Sequence, residues 1–457
     1  FGLRADGSEN GVIASGVYLS NTSDNIVGGT MPADRNVISG NRDGVFVASG
    51  ADNATGNAIM GNYIGTDPSG MAALGNTQRG IFAGSFGFAV NNTTIGGTAS
   101  GAGNLISGNG HFGILVRDAG VSNNVIAGNR IGTNASGTGA LPNGGSSSSE
   151  DGLAFTEARA GVYIAGPGNM VGGTAPGAGN IIAFNAGAGI IVFSGNNNAI
   201  LRNNIHSNES YDIDLGDDGI TFNHLGSVAG PNDYQNYPVL SLATSDGAST
   251  RIAGTLISEA SQTYTIDVFA NEACHSTFFG GGQIYLGSFS ATTDSNGQAV
   301  FDETLSVGVD EPFGITATAT GTSGTSEYSY CRPLSTANLN WVQAQTVSGA
   351  SQTEQFITDR FQEKWFKFPV QPGSTVHVKL TSLPGSAVSL HRDPYPIYNS
   401  LILPQNAEVL SAQAADVAFL PSGSLPSGSL PSGSLPSGSL PSGSLPSGSL
   451  PTGYLPS

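Results

Sequence analysis

Apolar positions in the first half of the chain come in short bursts separated by Asn and Gly, not in helical stripes. One unit reads N-x-I-x-G-N and recurs at Asn36–Asn41, Asn57–Asn62, Asn104–Asn109 and Asn124–Asn129. A second, G-[VI]-x-[VILA], opens at Gly16, Gly44, Gly80, Gly113, Gly161 and Gly189. These bursts predict strands of about three to five residues, too short to stand alone. Longer phrases repeat around them at 16–41, 80–109 and 161–185, each holding a GGT element: Gly28–Thr30, Gly96–Thr98, Gly172–Thr174. The GGT copies are 68 and 76 residues apart. Repetition at such spacing predicts stacked coils, each burying its apolar face against the next. Three coils of roughly 22–25 residues per period is the expectation.

Val and Ile at these positions are expected to point inward and stack on their copies. Gly permits left-handed turns between faces. The recurrent Asn is expected to form side-chain ladders along the axis and to satisfy turn backbone. Residues Asn57–Thr66 (NAIMGNYIGT) and Asn124–Thr133 (NVIAGNRIGT) carry a family resemblance. Residues 1–232 resemble the right-handed parallel β-helix proteins of bacterial secreted N-x-I-x-G-N repeat type. The resemblance implies an all-β chain: a β-helix over 1–232, followed by two β-sandwich modules and a repetitive tail.

Residues 211–240 break the repeat. Residues 233–334 then read as short alternating strands at Thr263–Phe269, Gln283–Ser288, Ala299–Phe301 and Ile315–Thr320, with Gly and Asn turns between them. They resemble the sandwich module that commonly follows such solenoids, on Phe269–Cys274, Ile315–Thr320 and Ser326–Ser329. Residues 335–417 predict a further small β-sandwich or jelly-roll module. Lys364–Val370, the turn Gln371–Ser374 and Thr375–Leu380 read there as a hairpin.

Residues 418–457 repeat L-P-S-G-S, with Leu at 420, 425, 430, 435, 440, 445, 450 and 455. Pro and Gly at this spacing suit a β-turn. A polyproline spacer, a spiral of turns and a small pentapeptide coil with Leu inward all fit. An ordered tail is the expectation, with Leu420, Leu425, Leu430, Leu435, Leu440, Leu445, Leu450 and Leu455 as assembly contacts.

Composition narrows the function. The 457 residues include 67 Gly, only 11% charged residues and a net charge of −18. The three lysines are Lys364, Lys367 and Lys379. Nucleic-acid binding is not expected, because its affinity rests on clustered cations. No apolar run is long enough to span a bilayer. The chain starts at Phe1, which reads as a processed form or a fragment. Cys274 and Cys331 are expected to form a disulfide, since the chain otherwise looks extracellular.

No catalytic motif emerges. Polysaccharide lyases and hydrolases share the resembled fold, but the solenoid has no Lys and its Arg residues are scattered. Asp67, Asp118, Asp151 and Glu157 are the candidates for a paired-carboxylate mechanism, with Asp67 read as a turn residue. Asp212, Asp214, Asp217 and Asp218 form the densest acidic run. They suit either Ca²⁺ ligation or a capping turn, and no other cofactor is expected. The six His show no metal spacing, and the solenoid aromatics Tyr18, Phe46, Tyr63, Phe82 and Phe193 read mostly as stack or core, a minority suiting sugar. The expectation is a non-enzymatic, extracellular or cell-surface structural protein that polymerises with itself into a fibre or sheath. A glycan-binding adhesin is the alternative, and a polysaccharide lyase or hydrolase a third reading.

Overall fold

The structure, a computed structural model, describes residues 14–145, 159–226, 228–275, 277–309 and 313–334, with the backbone of short strands between 345 and 413. It is nearly all-β. Three long parallel sheets dominate. The first holds Val17–Ser20, Asp43–Ser49, Arg79–Ser85, Phe112–Arg117, Ala160–Ala165, Ala188–Ser194 and Ile213–Leu215. The second runs from Ile26–Gly28 to Ala199–Leu201, and the third from Val37–Ile38 to Asn204–His206, with six strands each. A three-stranded sheet of Ala54–Thr55, Val90–Asn91 and Val121–Ser122 lies between the first two in chain order. The chain visits the sheets in rotation, an arrangement compatible with a parallel β-helix.

Register fixes the coil length. Val17 pairs with Val45, and Val45 with Ile81. Most coils are therefore longer than expected, although the last, from Ile190 to Ile213, is not, and the GGT copies lie two circuits apart, not three. Gly28 ends a second-sheet strand, Met60 takes its place one circuit later, and Gly96 ends the strand after that. The three-coil reading failed because the Asn-Ile grammar serves several corners of one coil, so counting units overcounts coils.

Alternation sends one residue of each pair inward. Ile38, Ile64, Ile106, Ile131, Ile182 and Ile205 are successive register partners in the third sheet, and all are fully buried. Deleting such a side chain typically costs 2–5 kcal/mol. The GGT glycines have a specific job. Gly28, Gly96 and Gly172 have φ of +87°, +87° and +84°, and a Cβ on any of them would overlap a backbone carbonyl of the adjacent coil.

Residues 239–334 form two antiparallel sheets. One contains Val239–Ser245, Thr250–Ile257 and Gln298–Leu305; the other contains Ile284–Thr292, Thr263–Asn271, Gly314–Gly321 and Gly324–Thr325. Ile252, Leu256, Phe301, Ile266, Val268, Leu286 and Ile315 fill one core between them. The strands at 239–257 were not anticipated. Residues 1–336 form one compact unit and 337–457 another. In the second, Thr375–Lys379 pairs antiparallel with Glu408–Gln413, and Phe366–Lys367 pairs with Gln345–Thr346. The described strands of the expected 364–380 hairpin thus pair with other segments. The tail and its eight assembly leucines lie outside the described residues.

Candidate functional site

The recurring Asn side chains build three ladders, one rung per coil in most places. One runs Asn36, Asn62, Asn104, Asn129, Asn180, Asn203. Another runs Asn41, Asn76, Asn109, Asn143, Asn185, Asn208. In each step Nδ2 donates to Oδ1 of the next coil's Asn at 2.8–3.2 Å. Most of these Oδ1 atoms also accept the backbone N–H of the preceding Asn, as Asn104 does for Asn62. Buried amides are tolerated only when so satisfied. The third ladder contains Asn25, Asn57, Asn124, Asn169 and Asn198, and is interrupted at Thr93.

Two ladders need a final acceptor, and residues outside the repeat grammar supply it. Asp212 Oδ1 accepts from Asn208 Nδ2 at 2.7 Å. Asn232 Oδ1 accepts the backbone N–H of Asn198, and its own Nδ2 donates to the carbonyls of Asn198 and Thr325. Beside the end of the remaining ladder, the backbone N–H of Arg202 meets Asp267 Oδ2 at 3.3 Å. The guanidinium of Arg202 donates to Ser288 and lies 5.3 Å over the Tyr285 ring. Backbone joins the two regions as well: Ile205 and Gly282 exchange N–H···O bonds of 3.0 and 2.6 Å. The coil end is thus closed by residues 232–327, and Phe269 and Tyr328 extend the coil core.

The acidic run divides its tasks. Asp212 caps a ladder. Asp214 Oδ1 accepts the Asp218 N–H at 3.2 Å. Asp217 is exposed, and partial desolvation followed by the nearby Asp218 charge raises its pKa. Among the described residues no three His, Cys, Asp or Glu side chains group as metal ligands. Of the two readings of this run, Ca²⁺ ligation finds no such group, and Asp212 and Asp214 accept hydrogen bonds instead. Strand alternation explains the split: Ile213 and Leu215 face the core, and Asp212 is drawn to the ladder end.

Glu327, inside the Ser326–Ser329 segment but given no role of its own there, accepts the backbone N–H groups of Leu215 and Thr221 at 3.0 and 2.9 Å. Burial pushes its pKa up to about 8, with those two bonds opposing. Burial likewise raises Asp214 to about 6, and Asp267 to about 6 despite Arg202. Asp212 is raised too, chiefly by burial. A carboxyl accepting bonds in a dry junction favours its neutral form when desolvation outweighs those bonds.

The Cys274–Cys331 disulfide is present, with a Cα–Cα separation of 5.8 Å. Of the paired-carboxylate candidates, Asp67 Oδ1 accepts the Met71 and Ala72 N–H groups, as a turn residue does. Asp118 lies 3.8 Å from Arg117 Nε. Asp151 and Glu157 lie outside the described residues. Asn232, Asp267 and Glu327 carry no repeat signal, and Arg202 stands where the N-x-I-x-G-N unit has its Gly. The one clue to Asn232 was that it is an Asn placed where the repeat stops. No family model matches the chain, and no curated protein matches it.

Proposed function

We propose that this is a non-enzymatic structural protein of the extracellular or cell-surface space, a subunit of a secreted fibre or sheath assembled with copies of itself. In this reading the coils are a right-handed parallel β-helix of the secreted N-x-I-x-G-N type, and residues 239–334 are a β-sandwich closing one end. The observation that carries it is the use of the recurring polar positions. Asn62, Asn104, Asn129 and their counterparts are buried and spent on holding coil to coil. What the chain repeats serves stiffness. The disulfide fits an oxidising compartment, and no helix among the described residues is long and apolar enough to cross a membrane.

Because residues 232–327 occupy one coil end, assembly in this reading runs through the modules and the tail, not through coil-on-coil stacking at that end. Electron microscopy of concentrated protein tests it. Regular filaments or sheets that disappear when 418–457 are deleted are expected; monodisperse monomers at high concentration would overturn it. A glycan-binding role is the second reading, favoured by the exposed rings of Tyr18 and Phe86 on the coils.

A further inference from the structure

Each interior step of the Asn36–Asn203 ladder answers two hydrogens with one oxygen. Asn180 Oδ1 accepts the Asn129 backbone N–H at 2.9 Å and Asn129 Nδ2 at 3.0 Å, and Asn203 Oδ1 does the same for Asn180 at 3.0 and 2.8 Å. Asn203 is the last rung. Its Nδ2 still donates back to the Val171 carbonyl at 2.9 Å, but its backbone N–H and its second amide hydrogen meet no acceptor among the described residues. Asn203 is only 1% exposed, so bulk solvent does not answer them. The other two ladders end on Asp212 and Asn232.

Strand alternation sets a carboxyl beside this end. In Thr263–Asn271, Ile266, Val268 and Ala270 fill the core between the antiparallel sheets, so Asp267 and Phe269 face the other way, and Phe269 joins the coil core. Asp267 Oδ2 accepts the Arg202 N–H, taking the place that the Ala178 carbonyl has for Gly128 one coil earlier. Asp267 Oδ1 is buried without a partner. Arg202 does not answer it, because its guanidinium donates to the Thr174 carbonyl and to Ser288 Oγ. Thr318 is the register partner of Asp267 and shares its face. Its hydroxyl is likewise buried without a partner.

We infer that one buried water molecule is the final rung of this ladder, accepting both remaining hydrogens of Asn203 and donating to Asp267 Oδ1 and Thr318 Oγ1. Chemistry selects the occupant. The two N–H groups repel a cation, and the carboxylate repels an anion. The group between them must accept and donate at once, and buried waters that make three or four such bonds are fixed parts of a structure. This water carries the coil pattern across to the antiparallel sheets, in a single chain as much as in a fibre.

A crystal structure of the full chain, at a resolution that shows ordered water, tests it. The crystals are grown at pH 7.5, above the value of about 6 to which burial raises Asp267. A peak is expected about 2.7–3.2 Å from Asn203 N, Asn203 Nδ2 and Asp267 Oδ1. Asp267→Asn keeps an oxygen for Arg202 and the shape of the side chain, but turns the second acceptor into a donor. The peak should then be lost. The Asn203 amide should exchange its hydrogen on the order of tenfold faster, while the Arg202 amide keeps its rate. Three results would overturn the inference: no peak in the wild type; a peak about 2.3–2.6 Å from Asp267 Oδ1, which marks a cation; or a peak that Asp267→Asn leaves in place.

Discussion

Asn208 Nδ2 donates to Asp212 Oδ1 at 2.7 Å, ending an amide ladder on a carboxylate instead of on another amide. Asp212 is buried, and burial favours its neutral form. Asp212→Asn keeps an acceptor for Asn208 and removes the charge to be desolvated. Asp212→Ala leaves the buried Asn208 amide short of a partner, at a cost of about 1–3 kcal/mol. Chemical denaturation is expected to rank Asp212→Ala well below both wild type and Asp212→Asn.

Thr93 occupies an Asn position. Its backbone N–H donates to Asn124 Oδ1 as the rungs do, yet its buried hydroxyl has no hydrogen-bond partner. Thr93→Asn restores a rung between Asn57 and Asn124. A gain of about 1 kcal/mol is expected, read as a rise in melting temperature. A fall would show that the corner is too tight for the larger amide.

Acid should strengthen the junction. Glu327 is raised from 4.5 to about 8, and Asp214 and Asp267 from 3.8 to about 6. Between its unfolded and folded pKa, each group is protonated when folded and ionised when unfolded. Its contribution is therefore greatest below the unfolded value and is lost as pH rises through the folded one. Each group in that window changes stability by about 1.4 kcal/mol per pH unit. Thermal melts between pH 5 and pH 8.5 should fall with rising pH, and Glu327→Gln should flatten the slope above pH 6.

The disulfide spans 57 residues in sequence. In the chain-entropy model its loss costs about 4 kcal/mol. The Cys274→Ser, Cys331→Ser double variant should lose that much in guanidinium unfolding. Both cysteines border the antiparallel sheets, so the Asn ladders nearer the N-terminus should keep their slow amide exchange.

The interior was legible where chemistry repeats. Asn104, Gly96 and Ile106 recur because each coil imposes the same backbone turn, the same orphan amides and the same inward pocket. The coil length was misread because Asn57 and Asn62 mark two corners of one circuit. The Cys pair could be read from compartment logic alone. Asp212 looked like a metal ligand because sequence density does not reveal which oxygen faces a ladder. Glu327 stayed hidden: its partners Leu215 and Thr221 lie more than a hundred residues earlier, and bond through backbone N–H groups that any residue there would offer.

The Asn ladders point one way. Each amide gives its hydrogen to the coil that follows, so the stack has a giving end and a receiving end, and a closure built for one cannot serve the other. Apart from the Thr93 position, interior coils present the same Asn rungs to their neighbours. Whole turns can thus be gained or lost by duplication or deletion in mid-stack without redesigning Asp212 or Asn232. Length is the freely adjustable dimension of this architecture, and its termination chemistry is the fixed one.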